Sequence, residues 1–300
     1  EAEGVARKLV AARGLPFDYG LLGDVLMEQG RLGAAVEAYQ QMMNLKPGPQ
    51  AYSRAAHVRW LKGDLAGATQ MMKLAARGAS PADVESSAWA ATRLALYELQ
   101  AGASKAARAA CDEALALLPE YAPALLARGR VLLAENQPAA AVAPLARAAE
   151  LNPLPEYQWA LADALRASGR GGEARAAEAR LVDRGEADDP RTLALYLATR
   201  GERAETALRL AEEEMKVRAD VFTLDALAWA QRAAGRADEA FGTMKRALAE
   251  GTQDARLFAH AGVIAADAGL TAEARRYLGR AAALRAMLLP SEQELLTTRP

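Results

Sequence analysis

Apolar and polar residues alternate along this 300-residue chain in blocks of helical spacing, and the blocks recur. Between Pro16 and Pro49, Leu21, Leu22, Val25 and Leu26 mark one apolar stripe of helical period. Gly30 interrupts it. Ala34, Ala35, Ala38, Tyr39 and Met42 mark a second stripe. Leu45-Lys46-Pro47-Gly48-Pro49 closes the block, because proline cannot continue a helix and restricts the residue before it. The block predicts helix, tight turn, helix and stop.

The turn of that block returns down the chain. A glycine is followed five residues later by an alanine at Gly30/Ala35, Gly63/Ala68, Gly102/Ala107, Gly169/Ala174, Gly235/Ala240 and Gly269/Ala274. Asn136 stands in for the glycine ahead of Ala141, and Gly201 precedes Ala207 by six. The steps between markers are 33, 39, 34, 33, 32, 34 and 34 residues. A period near 34 predicts a solenoid of helical hairpins, each of which buries its apolar face only against its neighbours. The expected fold class is therefore all-α, with about eight hairpins over residues 16–286 of one domain spanning 1–300.

Within the blocks the pattern resembles the tetratricopeptide repeat (TPR). That family places large residues, a leucine and a small residue along the first helix. An alanine, an aromatic, a second alanine and a proline follow along the second. The first unit reads Tyr19, Leu22, Gly23, Leu26, Ala35, Tyr39, Met42 and Pro47. The fourth reads Leu125, Arg128, Gly129, Leu132, Ala141, Leu145, Ala148 and Pro153, and the eighth Phe258, Ala261, Gly262, Ala265, Ala274, Leu278 and Ala281. The resemblance implies a right-handed superhelix whose inner wall is made by the first helix of each hairpin.

Departures from the period carry their own expectations. The long second step places extra residues near Ser80-Pro81-Ala82-Asp83. Ser80 can cap there, Pro81 suits a first helical position and Asp83 favours a helix start, which predicts a lengthened helix from about 81 to 101. In the sixth unit, Asp189-Pro190 predicts a short helix ending before Gly201, followed by a long one from Glu202 to about Arg218. Residues 1–15 carry Val5, Leu9 and Val10 on one stripe. They read either as the second helix of an earlier repeat or as a plain N-terminal cap. Residues 287–300 read as a C-terminal cap, with Pro290-Ser291 and Glu294 forming a capping box and Leu295 and Leu296 covering the last hairpin.

Composition narrows the function. Charged residues make up 25% and the net charge is −1, so the basic excess of a nucleic-acid binder is missing. No apolar run approaches the length of a membrane span. A cytoplasmic setting is favoured over a periplasmic one, and the richness in alanine and arginine has a bacterial character. The single cysteine, Cys111, rules out an internal disulfide framework and reads as a buried, inert thiol. Phosphate-loop, dinucleotide-binding and nucleophile-elbow motifs are missing, and Gly169-Arg170-Gly171-Gly172 reads as a flexible turn. His57 and His260 lie too many repeats apart to share a metal. The expectation is a protein without catalytic activity, cofactor or metal.

The resemblance implies that partners bind along the first helices, as extended peptides or partner helices. Carried onto this sequence, the groove positions give Arg54, His57 and Trp60 in the second unit, Trp89 and Arg93 in the third, and Arg130 in the fourth. Later units give Trp159, Asp163 and Arg166, then Tyr196, then Asp225, Trp229 and Arg232. All four tryptophans fall on such positions, and tryptophan and arginine are enriched at binding hot spots. Arg54, His57, Arg93 and Arg130 have no acidic residue among them at these positions. They predict a basic, aromatic-lined segment that receives an acidic or C-terminal carboxylate-bearing peptide. The asparagines, Asn44, Asn136 and Asn152, miss the clamp positions of chaperone-tail TPRs. Two alternatives remain open: self-association through exposed end stripes, and service as the adaptor segment of a larger enzyme or export machine.

Overall fold

Seventeen helices of ten or more residues form along the chain, with no strand among the described residues. The computed structural model describes residues 1–80 and 82–297. Helix α1 (Ala2–Ala12) precedes eight hairpins. These are α2 (Pro16–Glu28) with α3 (Leu32–Leu45), α4 (Pro49–Leu61) with α5 (Leu65–Gly78), and α6 (Val84–Gln100) with α7 (Ser104–Leu117). Next come α8 (Ala122–Ala134) with α9 (Pro138–Leu151), α10 (Pro155–Ala167) with α11 (Gly171–Asp188), and α12 (Pro190–Arg200) with α13 (Ala204–Val217). The last are α14 (Val221–Ala233) with α15 (Ala237–Ala247), and α16 (Ala255–Asp267) with α17 (Thr271–Ala283). A short helix, α18 (Pro290–Gln293), lies between two 3-10 turns at Arg285–Met287 and Glu294–Thr297.

The repeated small residues explain how each hairpin closes. Ala35, Ala68, Ala107, Ala141, Ala174, Ala207, Ala240 and Ala274 are all fully buried. In three hairpins a glycine of the first helix faces a large side chain sixteen residues on. A Cβ on Gly23 would lie 2.3 Å from the Tyr39 ring, one on Gly129 2.3 Å from Leu145, and one on Gly262 2.6 Å from Leu278. Those distances admit no methyl, so glycine sets how closely the two helices approach. Asn136 adopts φ +58° in the place of a turn glycine, a conformation asparagine tolerates better than most residues.

Where the period slips, the structure differs from the pattern in detail. Helix α6 is long, at 17 residues, and its cap is Asp83, whose carboxylate accepts from Ser86 N at 3.0 Å. Ser80 instead accepts from Ala82 N, and Pro81 lies outside the described residues. In the sixth unit α12 is short, as expected, but α13 has an ordinary 14 residues. Arg203 takes φ +50°, which holds the helix start back to Ala204 and accounts for the six-residue spacing from Gly201 to Ala207. The long helix is α11, whose 18 residues meet no stop until Asp189 caps α12. On α1 it is Ala6 that is buried, while Val5 faces solvent. The capping box of α18 uses Glu292, not Glu294: Leu289 N donates to its carboxylate at 2.8 Å. Leu295 and Leu296 do pack on the core beside α16 and α17.

The solenoid winds back onto itself. Ala219 N, ahead of α14, donates to the Glu28 carbonyl at the end of α2 at 2.9 Å. Arg218 pairs with Glu28 at 3.1 Å. One repeat further on, Thr252 Oγ1 donates to the Leu61 carbonyl at 2.7 Å and Lys62 pairs with Glu250 at 2.6 Å. Both contacts join residues about 190 apart, so the turn edge of one repeat meets the loop about five and a half repeats later. Gly30 and Gly63 sit at these crossings, where an added Cβ would approach the Ala219 carbonyl oxygen at 2.2 Å and the Gly251 carbonyl oxygen at 2.6 Å. The accessible surface, 13521 Å², is close to the roughly 12,200 Å² of a rounded monomer of this mass.

Gly30 and Gly102 have similar left-handed φ values, +71° and +74°, but nothing lies within 4 Å of a Cβ at Gly102. Gly102→Ala is expected to cost about 1–2 kcal/mol, from backbone strain alone. Gly30→Ala is expected to cost about 1–3 kcal/mol more, because the methyl meets a main-chain carbonyl. Urea unfolding of the two variants measures the difference, and equal losses would contradict the crossing.

Candidate binding site on the concave face

First helices form the inner wall. α6, α8, α10, α12, α14 and α16 pack in sequence along it, whereas no comparable pairing joins successive second helices. The helices α2, α4 and α6 lack that close side-by-side packing. A cleft opens there. One part, of about 430 Å³, is lined by Met42, Pro49, Gln50, Arg54 and Trp89, and an adjoining part of about 310 Å³ by Asp24, Arg54, His57 and Trp89.

At this open end Trp89 remains 40% exposed. Arg54 is held by Asp24, with Nε and Nη2 donating to its two carboxylate oxygens at 2.9 and 2.6 Å. Tyr39 OH donates to the same carboxylate at 2.8 Å. Burial pushes the His57 imidazole down to about 4, and the Arg93 cation adds to the effect, so the ring is neutral near pH 7. His57 stacks on Trp60, and Trp60 stacks on Phe222 across the winding. Trp60 Nε1 donates to Gln100 Oε1 at 2.6 Å. Arg93 lies over the Tyr97 ring at 5.5 Å and forms no ion pair among the described residues. It faces an inner cavity of about 190 Å³ shared with Trp60, Arg130, Phe222 and Arg256.

The sequence's basic run is thus partly neutralised from outside itself: Asp24 pairs with Arg54, and Glu156 lies 3.5 Å from Arg130. Acidic residues of neighbouring repeats reach it because the wall is continuous. Further along, Trp229 is buried and stacks on His260 at 4.0 Å, while His260 Nδ1 lies 2.8 Å from the buried Asp225 carboxylate. Arg232 covers Trp229 and pairs with Asp267 at 2.7 Å. Tyr196 is buried edge-on to Trp159, and Arg166 pairs with Glu178. Of the thirteen nominated residues, Arg54, His57 and Trp89 line the open cleft, Trp60, Arg93 and Arg130 line the inner cavity, and the others are engaged within the protein.

Trp159, Asp163 and Arg130 hold a segment the repeat pattern does not place there. Ser291 N and Oγ both donate to one oxygen of Asp163, at 2.9 and 2.7 Å. Trp159 Nε1 donates to Ser291 Oγ at 3.1 Å, and Arg130 Nη2 to the Met287 carbonyl at 2.8 Å. The Glu292 carboxylate is buried against Arg256, whose guanidinium also lies 5.6 Å from the Trp159 ring. Leu288 and Leu289 are buried beside them. The residues 285–297 therefore occupy the concave face of the fourth and fifth repeats as well as capping the eighth.

Away from this face, Cys111 is fully buried, and burial pushes its thiol up to about 12. No cluster of metal-ligating side chains occurs among the described residues, and no helix there is long and apolar enough to cross a membrane.

The arrangement is a TPR-type helical solenoid. No family model matches the chain, and no curated protein matches it in sequence. Solved structures do match. The human IFIT1 dimer with PPP-AAAA aligns over 98% of this chain and 73% of its own, at 16% identity and a TM-score of 0.51. TTC0263, a thermophilic TPR protein of Thermus thermophilus, aligns over 66% of this chain and 97% of its own, at 23% identity and a TM-score of 0.50. These likenesses are of fold.

Burial pushes the Asp163 carboxyl up to about 6, and the neighbouring Glu292 charge adds to this, against the hydrogen bonds from Ser291 and the Arg166 charge. A carboxyl raised on folding contributes stability that is present below its unfolded value near 4 and is lost as pH rises through 6. Asp163→Asn keeps an acceptor for Ser291 without the charge. Its stability relative to the parent is expected to improve by up to about 3 kcal/mol between pH 4 and pH 7.5. Urea unfolding at the two pH values measures this, and a pH-independent difference would contradict the burial argument.

Proposed function

We propose that this chain is a non-catalytic scaffold that binds a segment of a partner protein along its concave face. The observation that carries the reading is the seating of residues 285–297. An irregular stretch is held there by Arg130, Trp159 and Asp163, three first-helix side chains of the type that holds a peptide. The open cleft continues the same wall toward the N-terminal repeats. It offers an exposed indole at Trp89, and one helical turn further along α6 the cation of Arg93, at the inner cavity, has no carboxylate partner among the described residues.

The segment best suited to that cleft is extended and carries an apolar side chain followed by a carboxylate. Trp89 would take the apolar group, and Arg93 would pair with the carboxylate, or with a chain-terminal one. Arg54 would serve to shape the cleft, because Asp24 already satisfies it.

An acidic, apolar-containing peptide library titrated against the intact chain is expected to yield binders that lose about tenfold or more in affinity with Trp89→Ala or Arg93→Glu. Arg209→Glu, on the exposed second helix α13, is expected to leave them unchanged. Binding that is indifferent to both Trp89→Ala and Arg93→Glu would sink the reading.

A further inference from the structure

A lid for the last hairpin needs only to cover the outer apolar face of α16 and α17, which Leu295 and Leu296 do. The residues just before them do something else. From Met287 to Glu292 the chain turns inward and reaches Arg130 on α8 and Trp159 and Asp163 on α10, about four to four and a half repeats away in sequence. Four polar groups of the wall have counterparts in the segment. Arg130 finds a main-chain carbonyl, Asp163 a hydroxyl and an amide, Trp159 the same hydroxyl, and Arg256 a carboxylate. Capping leaves this correspondence unexplained, whereas recognition of a peptide accounts for it.

We propose that residues 287–292 are a tethered occupant of a peptide site on the concave face of repeats four, five and eight, and that a partner segment of the same chemistry competes for it. That chemistry is two adjacent large apolar residues, a proline-started turn, then a hydroxyl residue followed directly by a carboxylate. The proposal rests on the peptide-binding reading above but concerns a different part of the wall.

The build of the segment suits exchange. Its regular structure is one four-residue helix between two 3-10 turns, so few main-chain bonds hold it together. The rest of its hold comes from the two buried leucines and from side chains of α8, α10 and α16. A tethered competitor lowers the apparent affinity of a free one by the fraction of sites it leaves open. Weakening the tether alone must therefore strengthen binding of a free copy.

The test uses the full chain and a fluorescent synthetic peptide of residues 285–297, read by anisotropy. The double variant Ser291→Ala/Glu292→Gln alters only the tethered segment and leaves the wall intact. The peptide is expected to bind it about tenfold or more tighter than it binds the parent chain. Adding Arg256→Met to that variant is expected to abolish the gain, and a scrambled peptide is expected not to bind. Equal affinity for parent and tail variant, or equal binding of the scrambled peptide, overturns the proposal. If the tail variant does not fold, hydrogen exchange of the parent chain decides. Excess peptide is expected to speed exchange within 285–297, and unchanged exchange overturns the proposal. Loss of acidic-peptide binding in Trp89→Ala is read separately, so either reading can fail while the other stands.

Discussion

The main-chain bond from Ala219 N to the Glu28 carbonyl marks the constraint on which the rest of this structure depends. A hairpin solenoid touches only its sequence neighbours unless its rotation per repeat brings one winding against the next. Here that happens after about five and a half repeats, and the turn edge of the early repeats meets the loops of the late ones. Gly30 and Gly63 permit the approach, since no side chain fits where they face a backbone carbonyl. The same glycines that make the turns of the first two hairpins thereby make the seam.

Once the windings meet, the inner wall stops being a uniform groove. Side chains that an open superhelix would present to solvent become mutual neighbours: Trp60 stacks on Phe222, and Gln100 donates to the Gln253 carbonyl. Charges are matched across repeats, as with Arg54 and Asp24 or Arg256 and Glu292. What stays open is the stretch where α2, α4 and α6 are not packed side by side. What is filled elsewhere is filled in part by the chain's own residues 285–297. Most polar groups named on this wall thus already have a partner within the protein, and Arg93 is the cation for which none is found among the described residues.

The hairpins were legible in the sequence because they depend on local physics. The turn glycines, the prolines that start helices and the eight buried alanines repeat at fixed spacing, and Asn136 behaves as the spacing requires. Slips of the period were legible as slips, but their direction depended on single residues. Arg203 in a left-handed conformation shortened one helix start, and the absence of a stop before Asp189 lengthened α11. The wall positions of Trp60, Arg93, Arg130 and Asp163 could be named from the repeat. The distant partners of Trp60, Arg130 and Asp163 could not, because Phe222, Met287 and Ser291 lie more than a hundred residues away and follow no period. A Ser-Glu pair directly after Leu-Leu-Pro was the one sequence signal of the segment, and it also fits an ordinary helix start.

Closure of the winding is the central claim, and small-angle X-ray scattering on the dilute intact chain tests it most directly. A rounded body of this length has a radius of gyration of about 19 Å, and the account predicts a value near that. An extended superhelix, with a radius of gyration well above about 25 Å, would contradict it.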